Sequence, residues 1–286
     1  MAKTTVMLPV GGNNPPRTFR DAAQSYITHG GERRYMGRVT DYFGDTGIRD
    51  IHPFDIRLMA ETLYPDASGA TRNRCAITPA RAVLLHAYDR GWRDLIRVRR
   101  FREDRPARKE PASITWMFAF LRQCDRDRLD HLAALVLFMA QTGARVSEAV
   151  RLEWVDIDWG NRTAVLTRTK TDTNSIRHLS DELLDRMRGL DRDPAKPVFR
   201  YTSRHSVSER IAAVCFRADI PYKSPHVCGR HTFATTAMEM GAEIRDAMEA
   251  GGWRSSKVFM ETYVHPRKAA GRQIADRFNS RQIMCL

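Results

Sequence analysis

The stretch SPHVCGRHTFATTAMEMGAEIRDAMEAGGWRSSKVFMETYVHP, residues 224–266, organises the expectations for the whole chain. It begins with His226 and Arg230, and it continues into an amphipathic helical pattern. A Gly-Gly-Trp turn at residues 251–253 comes next, and Tyr263, the last tyrosine of the chain, stands near the end. This concentration of reactive and cationic side chains indicates a functional site that upstream segments must complete.

The composition indicates a basic globular protein. The chain has 286 residues, 42% of them hydrophobic, which is enough for two domains with their own cores. The net charge is +13, and both parts contribute: residues 1–110 carry 20 Lys+Arg against 13 Asp+Glu, and the remainder carries 27 against 21. A polyanion that contacts both parts is the simplest partner, although an arginine-rich genome would also yield a basic composition.

Other patterns narrow the class of protein. No run of eighteen apolar residues and no signal-peptide core occurs, so we expect a cytoplasmic protein that does not cross a membrane. The cysteines form no CxxC pair, which predicts reduced, mostly buried thiols rather than a disulfide or zinc framework. Cys228 is an alternative nucleophile because His226 and Arg230 are near it in sequence, but Tyr263 explains more of its neighbours. The cysteines are Cys75, Cys124, Cys215, Cys228 and Cys285.

The chain divides at a basic, proline-containing segment, RVRRFREDRPARKEP. Such a connector suits a protein that wraps a duplex between two domains, although any linker between domains is exposed and often charged. Four helical patterns precede it: one capped by Thr18, then Glu32–Phe43, a third that begins at Pro53 and ends before Pro65, and a fourth from Ala70 to Gly91. The predicted divisions are a disordered terminus (1–16), a helical domain (17–96), the linker (97–111), a second domain (112–268) and a tail (269–286).

The second domain is predicted to be mainly α-helical with a small β-hairpin. Helices are expected from Ser113 onward and over His131–Gln141, which is apolar nearly all round and therefore buried. Alternation over residues 162–169 and 176–179 predicts the hairpin. Later helices are expected at residues 180–189, 206–218, 230–240 and 244–250. The fold class is therefore α+β, with helices dominating.

Four side chains have the chemistry that metal-free cleavage of a phosphodiester requires. Charge on the non-bridging oxygens must be neutralised, a nucleophile must attack, and an acid must protonate the leaving oxygen. Arg145, at a helix start after a glycine turn, and Arg230 suit the first task. Tyr263 suits the second. Lys170, the only lysine between residues 110 and 195, suits the third because arginine does not release a proton.

Each of these residues also has an ordinary structural interpretation. Arg230 could form a salt bridge, Lys170 could be a solvated hairpin lysine, and Tyr263 could be a half-buried core residue. Their occurrence together is what favours a shared site.

Three motifs resemble the boxes of the tyrosine recombinase/phage integrase family. TGARVSEAVRLEWVDID (142–158) resembles its first arginine box, and RHTFATTAMEMG (230–241) resembles its second. GGWRSSKVFMETYVH (251–265) resembles the box that carries the nucleophile. The helical first domain, with ASGATRNR and AYDRGW, resembles the core-binding domain of the family. The resemblance covers the chain from Thr18 to His265, and it implies a helical core-binding domain followed by a catalytic domain.

The resemblance implies roles for the residues of the two arginine boxes and for the tyrosine. Tyr263 attacks the scissile phosphate, forms a 3′-phosphotyrosine and frees a 5′-hydroxyl. Arg145 and Arg230 hold the non-bridging oxygens, and Glu148 matches an acidic position that supports the first box. The resemblance implies that neither metal nor cofactor is required, because the phosphotyrosine linkage conserves the energy of the cleaved phosphodiester bond for the rejoining step.

The resemblance also implies roles for residues that transfer protons or pack the site. Lys170 is the general acid for the leaving oxygen, His226 assists proton transfer, and Trp253 donates its indole N–H or packs the site. The chain departs from the family in two places. His226 lies four residues before Arg230 instead of three, which leaves His231 as an alternative, and Trp253 lies ten residues before Tyr263, one more than expected.

The expected partner is double-stranded DNA at recombination core sites. The resemblance implies a homo-tetramer in the synapse and a monomer or dimer when free, with accessory DNA-bending or directionality proteins as further partners. An apolar stripe in Ile274–Leu286 is expected to pack on a neighbouring protomer or back onto its own domain. Arginines predicted to contact DNA, unless they form a solvated face, are Arg72, Arg74, Arg81, Arg99, Arg100 and Arg102.

Several other functions fit parts of the sequence. Asp156 and Asp158 could serve a metal-dependent nuclease, but their spacing suits a turn and no third acid accompanies them. A non-catalytic DNA-binding relative and a type IB topoisomerase are alternatives of other classes. Within the recombinase family, integration or excision of a phage or mobile element is favoured over Xer-like resolution of chromosome or plasmid dimers.

Overall fold

A computed structural model describes residues 17–104, 109–167 and 174–264, together with residues 271–272, 275–276 and 278. The chain divides into two compact units, Met1–Ala107 and Arg108–Leu286. Each unit has its own hydrophobic core, so each is described separately. In the described part of the chain, no helix has the length and apolar character needed to cross a membrane.

The first unit is helical in its described residues. Thr18 caps the first helix as predicted: its hydroxyl accepts from the Asp21 amide at 3.1 Å, and the Asp21 carboxylate accepts from the Thr18 amide at 3.0 Å. The second helix begins later than predicted because Tyr35 has a left-handed backbone (φ 64°). The helices are α1 (Phe19–Thr28), α2 (Met36–Phe43), α3 (Pro53–Leu63), α4 (Gly69–Arg72) and α5 (Thr78–Asp89), with a π-helical turn at Asn73–Ile77 between the last two.

The predicted linker packs partly against the first unit. Val98 is buried in the core of that unit. The Asn73 side chain accepts from the Phe101 amide at 2.8 Å and donates to its carbonyl at 2.9 Å. Residues 97–101, which have no regular secondary structure, are therefore held to the helices by apolar burial and paired backbone groups.

The second unit is built around α7, whose side chains are buried nearly all round, as the apolar pattern predicts. Its C-terminal end contacts the elements that carry the candidate site. The helices that precede the sheet are α6 (Ile114–Arg126), α7 (Asp130–Thr142) and α8 (Val146–Ala149).

A three-stranded antiparallel sheet comes next, in the order β1 (Ile157–Asp158), β2 (Thr163–Leu166) and β3 (Ser175–His178). The hairpin of β2 and β3 confirms the predicted alternation, since Ala164 and Leu166 are buried on one face. The short strand β1 was not predicted. The register sets Ala164 opposite Arg177, so an arginine occupies a position on the buried face.

The remaining helices complete the second unit and carry the motifs at residues 230–241 and 251–265. One of them, the helix that ends at Tyr263, was not predicted. The Ser255 hydroxyl caps it by accepting from the Val258 amide at 3.3 Å, and Phe259 and Tyr263 form its buried face. The elements are α9 (Asp181–Arg188), α10 (Arg204–Arg217), a π-helical turn (Val227–His231), α11 (Thr232–Glu239), α12 (Ile244–Gly251) and α13 (Ser256–Tyr263).

Candidate active site

The π-helical turn at Val227–His231 explains the four-residue spacing between His226 and Arg230. A π turn accommodates one residue more than an α turn, so the additional residue widens the helix locally and α11 continues from it as a regular helix. Gly229 makes the wide turn fit: a Cβ there would lie 2.6 Å from the Cβ of Met139 on α7. The departure from the family spacing is therefore absorbed locally, at the start of the helical segment.

Arg230 is buried and held by backbone carbonyls. Its Nη1 donates to the carbonyls of Gly143 and Gly251, each at 2.6 Å, and its Nη2 donates to the carbonyl of Gly252 at 3.1 Å. The guanidinium carbon lies 3.5 Å from the centre of the Trp253 ring. Burial, together with the charge of Arg145, lowers the pKa of Arg230 to about 9, so the group remains cationic at neutral pH.

Arg145 is the exposed counterpart of Arg230. It stands before the first residue of α8, and its side chain is 44% exposed. The buried Glu148 carboxylate accepts from the Arg145 backbone amide at 2.9 Å and from its Nη1 at 2.5 Å. This pairing fixes one side of the guanidinium and leaves part of it accessible to an anion.

Tyr263 is enclosed by aromatic rings, with only 5% of its surface exposed. Ring centres of His231, Phe259 and Trp253 lie 5.1, 5.2 and 5.5 Å from its own. Burial raises the pKa of Tyr263, while Arg230, hydrogen bonding from the Trp253 side chain, and Arg145 act in the opposite direction. The phenol is therefore protonated at neutral pH and lies close to the cations that would stabilise its phenolate.

The two histidines have different surroundings. His226 is exposed to solvent over part of its surface. Desolvation of its ring lowers its pKa, and the nearby His231, Arg230, Lys109 and Arg145 lower it further. The ring is therefore neutral at pH 7 and available to accept a proton. His231 is buried, and because a carbonyl only accepts, its Nε2–H donates to the Lys109 carbonyl at 2.7 Å.

Arg177 on β3 belongs to the same cluster, and the motifs did not identify it. It is 2% exposed, and it donates to the carbonyls of Ala250 at 2.6 Å and Gly251 at 3.2 Å. The signal was present in the sequence: strand alternation places Arg177 on the face that Ala164 shares. An arginine at an inward strand position must reach a polar partner elsewhere.

Two alternative sites have ordinary structural roles. Cys228 is fully buried, and burial raises the pKa of its thiol far above its usual range, which makes it a poor nucleophile. Asp158 accepts from the amide and the side chain of Asn161 at 2.9 and 2.7 Å, and Asp156 accepts from the Glu153 amide at 3.0 Å. Both carboxylates stabilise turns next to β1.

The remaining predicted residues belong to the first unit or lie outside the described residues. Lys170 is outside them, as is most of Ile274–Leu286. Arg72 donates to the carbonyls of Tyr64, at 2.9 Å, and Pro65. Its guanidinium therefore stabilises the segment after α3 in the first unit. The other arginines predicted to contact DNA are exposed, and they are Arg74, Arg81, Arg99, Arg100 and Arg102.

Known proteins share the sequence pattern of this chain. The sequence model of the phage integrase family matches residues 117–270. The tyrosine recombinase XerD of Mycobacterium leprae (strain TN) is 30% identical over 264 residues, which cover 78% of this chain and 82% of the relative. The tyrosine recombinase XerC of Bifidobacterium longum (strain DJO10A) is 27% identical over 157 residues, which cover 46% of this chain and 42% of the relative.

Two solved structures share the fold. The Tn1549 transposon integrase (residues 82–397), in complex with circular intermediate DNA, has a TM-score of 0.71 at 18% identity, over 90% of this chain and 99% of that chain. The XerH site-specific recombinase, bound to a palindromic difH substrate, has a TM-score of 0.61 at 14% identity, over 91% of this chain and 79% of that chain. At these identities the likeness concerns the fold alone.

Proposed function

Because the chain belongs to the phage integrase family of tyrosine recombinases, and is thus a site-specific recombinase, we propose that Tyr263 carries its strand cleavage. In this proposal the Tyr263 oxygen attacks the scissile phosphorus of double-stranded DNA. The bond to the 5′-oxygen breaks, and a 3′-phosphotyrosine and a 5′-hydroxyl result. Attack by the 5′-hydroxyl of another strand on the phosphotyrosine releases Tyr263 and rejoins the DNA, and the number of phosphodiester bonds in the DNA is unchanged.

The observation that carries the proposal is the convergence of two arginines of different exposure on one tyrosine. The Trp253 ring centre lies 3.5 Å from the Arg230 guanidinium carbon and 5.5 Å from the centre of the Tyr263 ring. The charges of Arg230 and Arg145 both act to lower the pKa of Tyr263, against the effect of burial. The exposed part of Arg145 is suited to meet a non-bridging phosphate oxygen directly. Arg230 is the deeper cation, and Glu148 keeps the first arginine in place.

Proton transfer requires a base for the phenol and an acid for the leaving oxygen. His226 has a lowered pKa and lies among the same cations, which suits it to accept the Tyr263 proton directly or through water. Lys170 is the proposed general acid, by its match to the hairpin lysine of the family. Trp253 supports the site by covering Arg230 with its ring and by hydrogen bonding to Tyr263.

The proposed partner is double-stranded DNA, and the proposed assembly is a homo-tetramer in the synapse. The net charge of +13 favours a polyanion, and the XerH and Tn1549 integrase structures contain DNA. The exposed arginines of the first unit are the proposed phosphate contacts. Two observations favour different biological roles. The departures of His226 and Trp253 from the usual spacing of the family boxes favour integration or excision of a mobile element, and the likeness in sequence to XerD favours dimer resolution.

Covalent trapping tests the proposed chemistry. Duplexes enriched from a random library by binding to the protein would be nicked beside the cleavage position, so that a short product diffuses away and the adduct accumulates. Wild-type protein is expected to form a covalent adduct, and Tyr263→Phe is expected to form none. Tyr222→Phe is the matched control because Tyr222 is an exposed tyrosine of the same unit. An adduct with Tyr263→Phe, or its loss with Tyr222→Phe, would contradict the assignment.

A second assay separates the two biological roles. Plasmids would carry either two identical copies of the selected site or that site together with a non-identical partner taken from the ends of the surrounding element. Recombination of the non-identical pair is expected for integration or excision. Efficient recombination of identical sites alone would favour dimer resolution.

A further inference from the structure

We propose that Arg177 is a positioning residue for strand cleavage, because it holds the Ala250–Gly252 turn to which Arg230 is anchored. The inference rests on the proposed function of Tyr263 and Arg230, and it adds a residue that none of the three recombinase-like motifs contains. Arg177 does not touch the substrate in this proposal. It acts through the backbone that orients the deeper catalytic arginine.

The two arginines share one end of a helix. Arg177 Nη1 donates to the Ala250 carbonyl at 2.6 Å, and Arg230 Nη2 donates to the Gly252 carbonyl at 3.1 Å. Between them, the Gly251 carbonyl accepts from both, from Arg230 Nη1 at 2.6 Å and from Arg177 Nη2 at 3.2 Å. The last carbonyls of a helix carry partial negative charge, so the end of α12 attracts both guanidinium groups. A movement of this turn therefore moves the anchor of Arg230.

The two glycines of the turn, Gly251 and Gly252, leave room for these contacts. Gly252 has a left-handed backbone (φ 66°), and a Cβ there would lie 2.5 Å from Arg177 Nη2. A Cβ at Gly251 would overlap the ring of Trp253. The chain thus has no side chain at two successive positions where the Arg177 guanidinium and the Trp253 ring approach the backbone.

Arg177 occupies an unfavourable position for a residue with only a packing role. The residue is 2% exposed, and its Nε has no hydrogen-bond partner within the part of the chain that the structure describes. Burial lowers the pKa of Arg177, the Glu148 carboxylate acts to raise it, and the charge of Arg145 acts to lower it further. An aliphatic side chain is the ordinary occupant of a strand position opposite Ala164. The contacts with the helix end are what distinguish an arginine from such a side chain.

The expected consequence of losing Arg177 is slower cleavage with intact DNA binding. Without it, the Ala250 carbonyl loses the Arg177 donor, and the turn is held by Arg230 and by the backbone bonds that the Gly252 and Trp253 amides donate to the end of α12. Small displacements of a catalytic group lower the rate of reaction far more than they lower affinity, because affinity is spread over many phosphate contacts. The charge of Arg230 remains, but the Gly251 and Gly252 carbonyls that orient its guanidinium toward the scissile phosphate are held less rigidly.

The test measures single-turnover cleavage of the nicked duplex at saturating protein, and DNA affinity in parallel. Arg177→Met is expected to lower the cleavage rate about 10- to 100-fold while the Kd changes less than about threefold. Arg177→Lys, which keeps a donor, is expected to recover part of that loss. Arg162→Met is the matched control, because Arg162 is an exposed arginine beside β2 whose partner is the exposed Asp181. This control is expected to cleave like wild type.

A double-variant cycle checks that Arg177 acts through Arg230. If it does, Arg177→Met added to Arg230→Lys lowers the rate much less than it does alone. Full additivity, an unchanged cleavage rate in Arg177→Met, or a loss confined to Kd would overturn the proposal. Thermal unfolding identifies a variant that does not fold. If Arg177→Met does not fold, Arg177→Lys and Arg177→Gln are measured in its place. Cleavage rates equal to wild type in both variants, with both folded, would also overturn the proposal.

The outcome for wild type separates this inference from the function on which it rests. No adduct with wild-type protein means that the Tyr263 assignment has failed. An adduct with wild type and an unaffected Arg177→Met variant means that only the role of Arg177 has failed.

Discussion

Replacing Trp253 separates the two interactions that its side chain makes in the candidate site. The ring covers the Arg230 guanidinium at 3.5 Å, and the side chain also hydrogen bonds to Tyr263. Trp253→Phe keeps an aromatic face but removes the N–H donor. Trp253→Ala removes both. The difference between the variants therefore reports the cation–π contact, and the difference between Phe and wild type reports the hydrogen bond.

The geometry allows the size of each effect to be worked out. A desolvated cation–π contact contributes about 2 kcal/mol, and a hydrogen bond contributes about 1 kcal/mol. If both contributions are realised in the transition state, Trp253→Phe lowers the cleavage rate about fivefold and Trp253→Ala lowers it somewhat more than about 100-fold. Loss of the hydrogen bond also removes an interaction that lowers the pKa of Tyr263, so deprotonation of the phenol becomes harder.

The assay is single-turnover adduct formation on the nicked duplex, with thermal unfolding measured alongside. Trp159→Ala is a suitable control because Trp159 is a partly buried tryptophan of the same unit, with the Arg192 guanidinium 4.3 Å from its ring centre. It removes an arginine–tryptophan pair that includes no residue of the candidate site, and it is expected to leave the cleavage rate per folded molecule unchanged. Equal rates for Trp253→Phe and Trp253→Ala, or an equal loss in Trp159→Ala, would refute the reasoning.

Three further perturbations have defined outcomes. Gly229→Ala is expected to lower the free energy of unfolding by about 1–3 kcal/mol, since the new Cβ meets the Cβ of Met139; an unchanged denaturation midpoint would show that the π turn tolerates a side chain. With His226 as the base, the rate below saturation should rise with pH and level off, with a midpoint below about 6.5, because the pKa of His226 is lowered and the neutral ring exists only above it. His226→Gln should abolish that dependence, and a profile that survives the substitution would assign it to another group. Glu148→Gln should slow cleavage by about tenfold or more by releasing Arg145 from its charged partner, whereas a rate within about twofold of wild type would show that the capping contact alone suffices.

The fold of the second unit was predictable where local patterns are strong. The all-round apolar stretch became the buried helix α7, and the alternating residues became β2 and β3. The strand β1 was missed because two residues carry no periodic signal. The helix α13 was missed because its short apolar face, Phe259 and Tyr263, becomes informative only when Ser255 is seen to cap the first turn of the helix.

The candidate site was predictable in its residue types and only partly in its contacts. Arg145 stands at the start of a helix, as expected from the glycine turn before it. Trp253 was predicted to donate its indole N–H or to pack the site, and in the structure its ring packs over Arg230. The position of Lys170 stays a prediction, because it lies outside the described residues.

By itself the sequence determined which chemical groups the chain has and in what order, because these result from covalent structure and short-range periodicity. It also indicated an irregularity before Arg230, in the form of one additional residue beside a glycine. Only the tertiary structure decided that this residue is absorbed by a π turn packed on Met139. It alone decided that Arg177 and Arg230 meet at the Gly251 carbonyl. Such contacts join segments distant in the chain, and they depend on packing and burial, which no local pattern records.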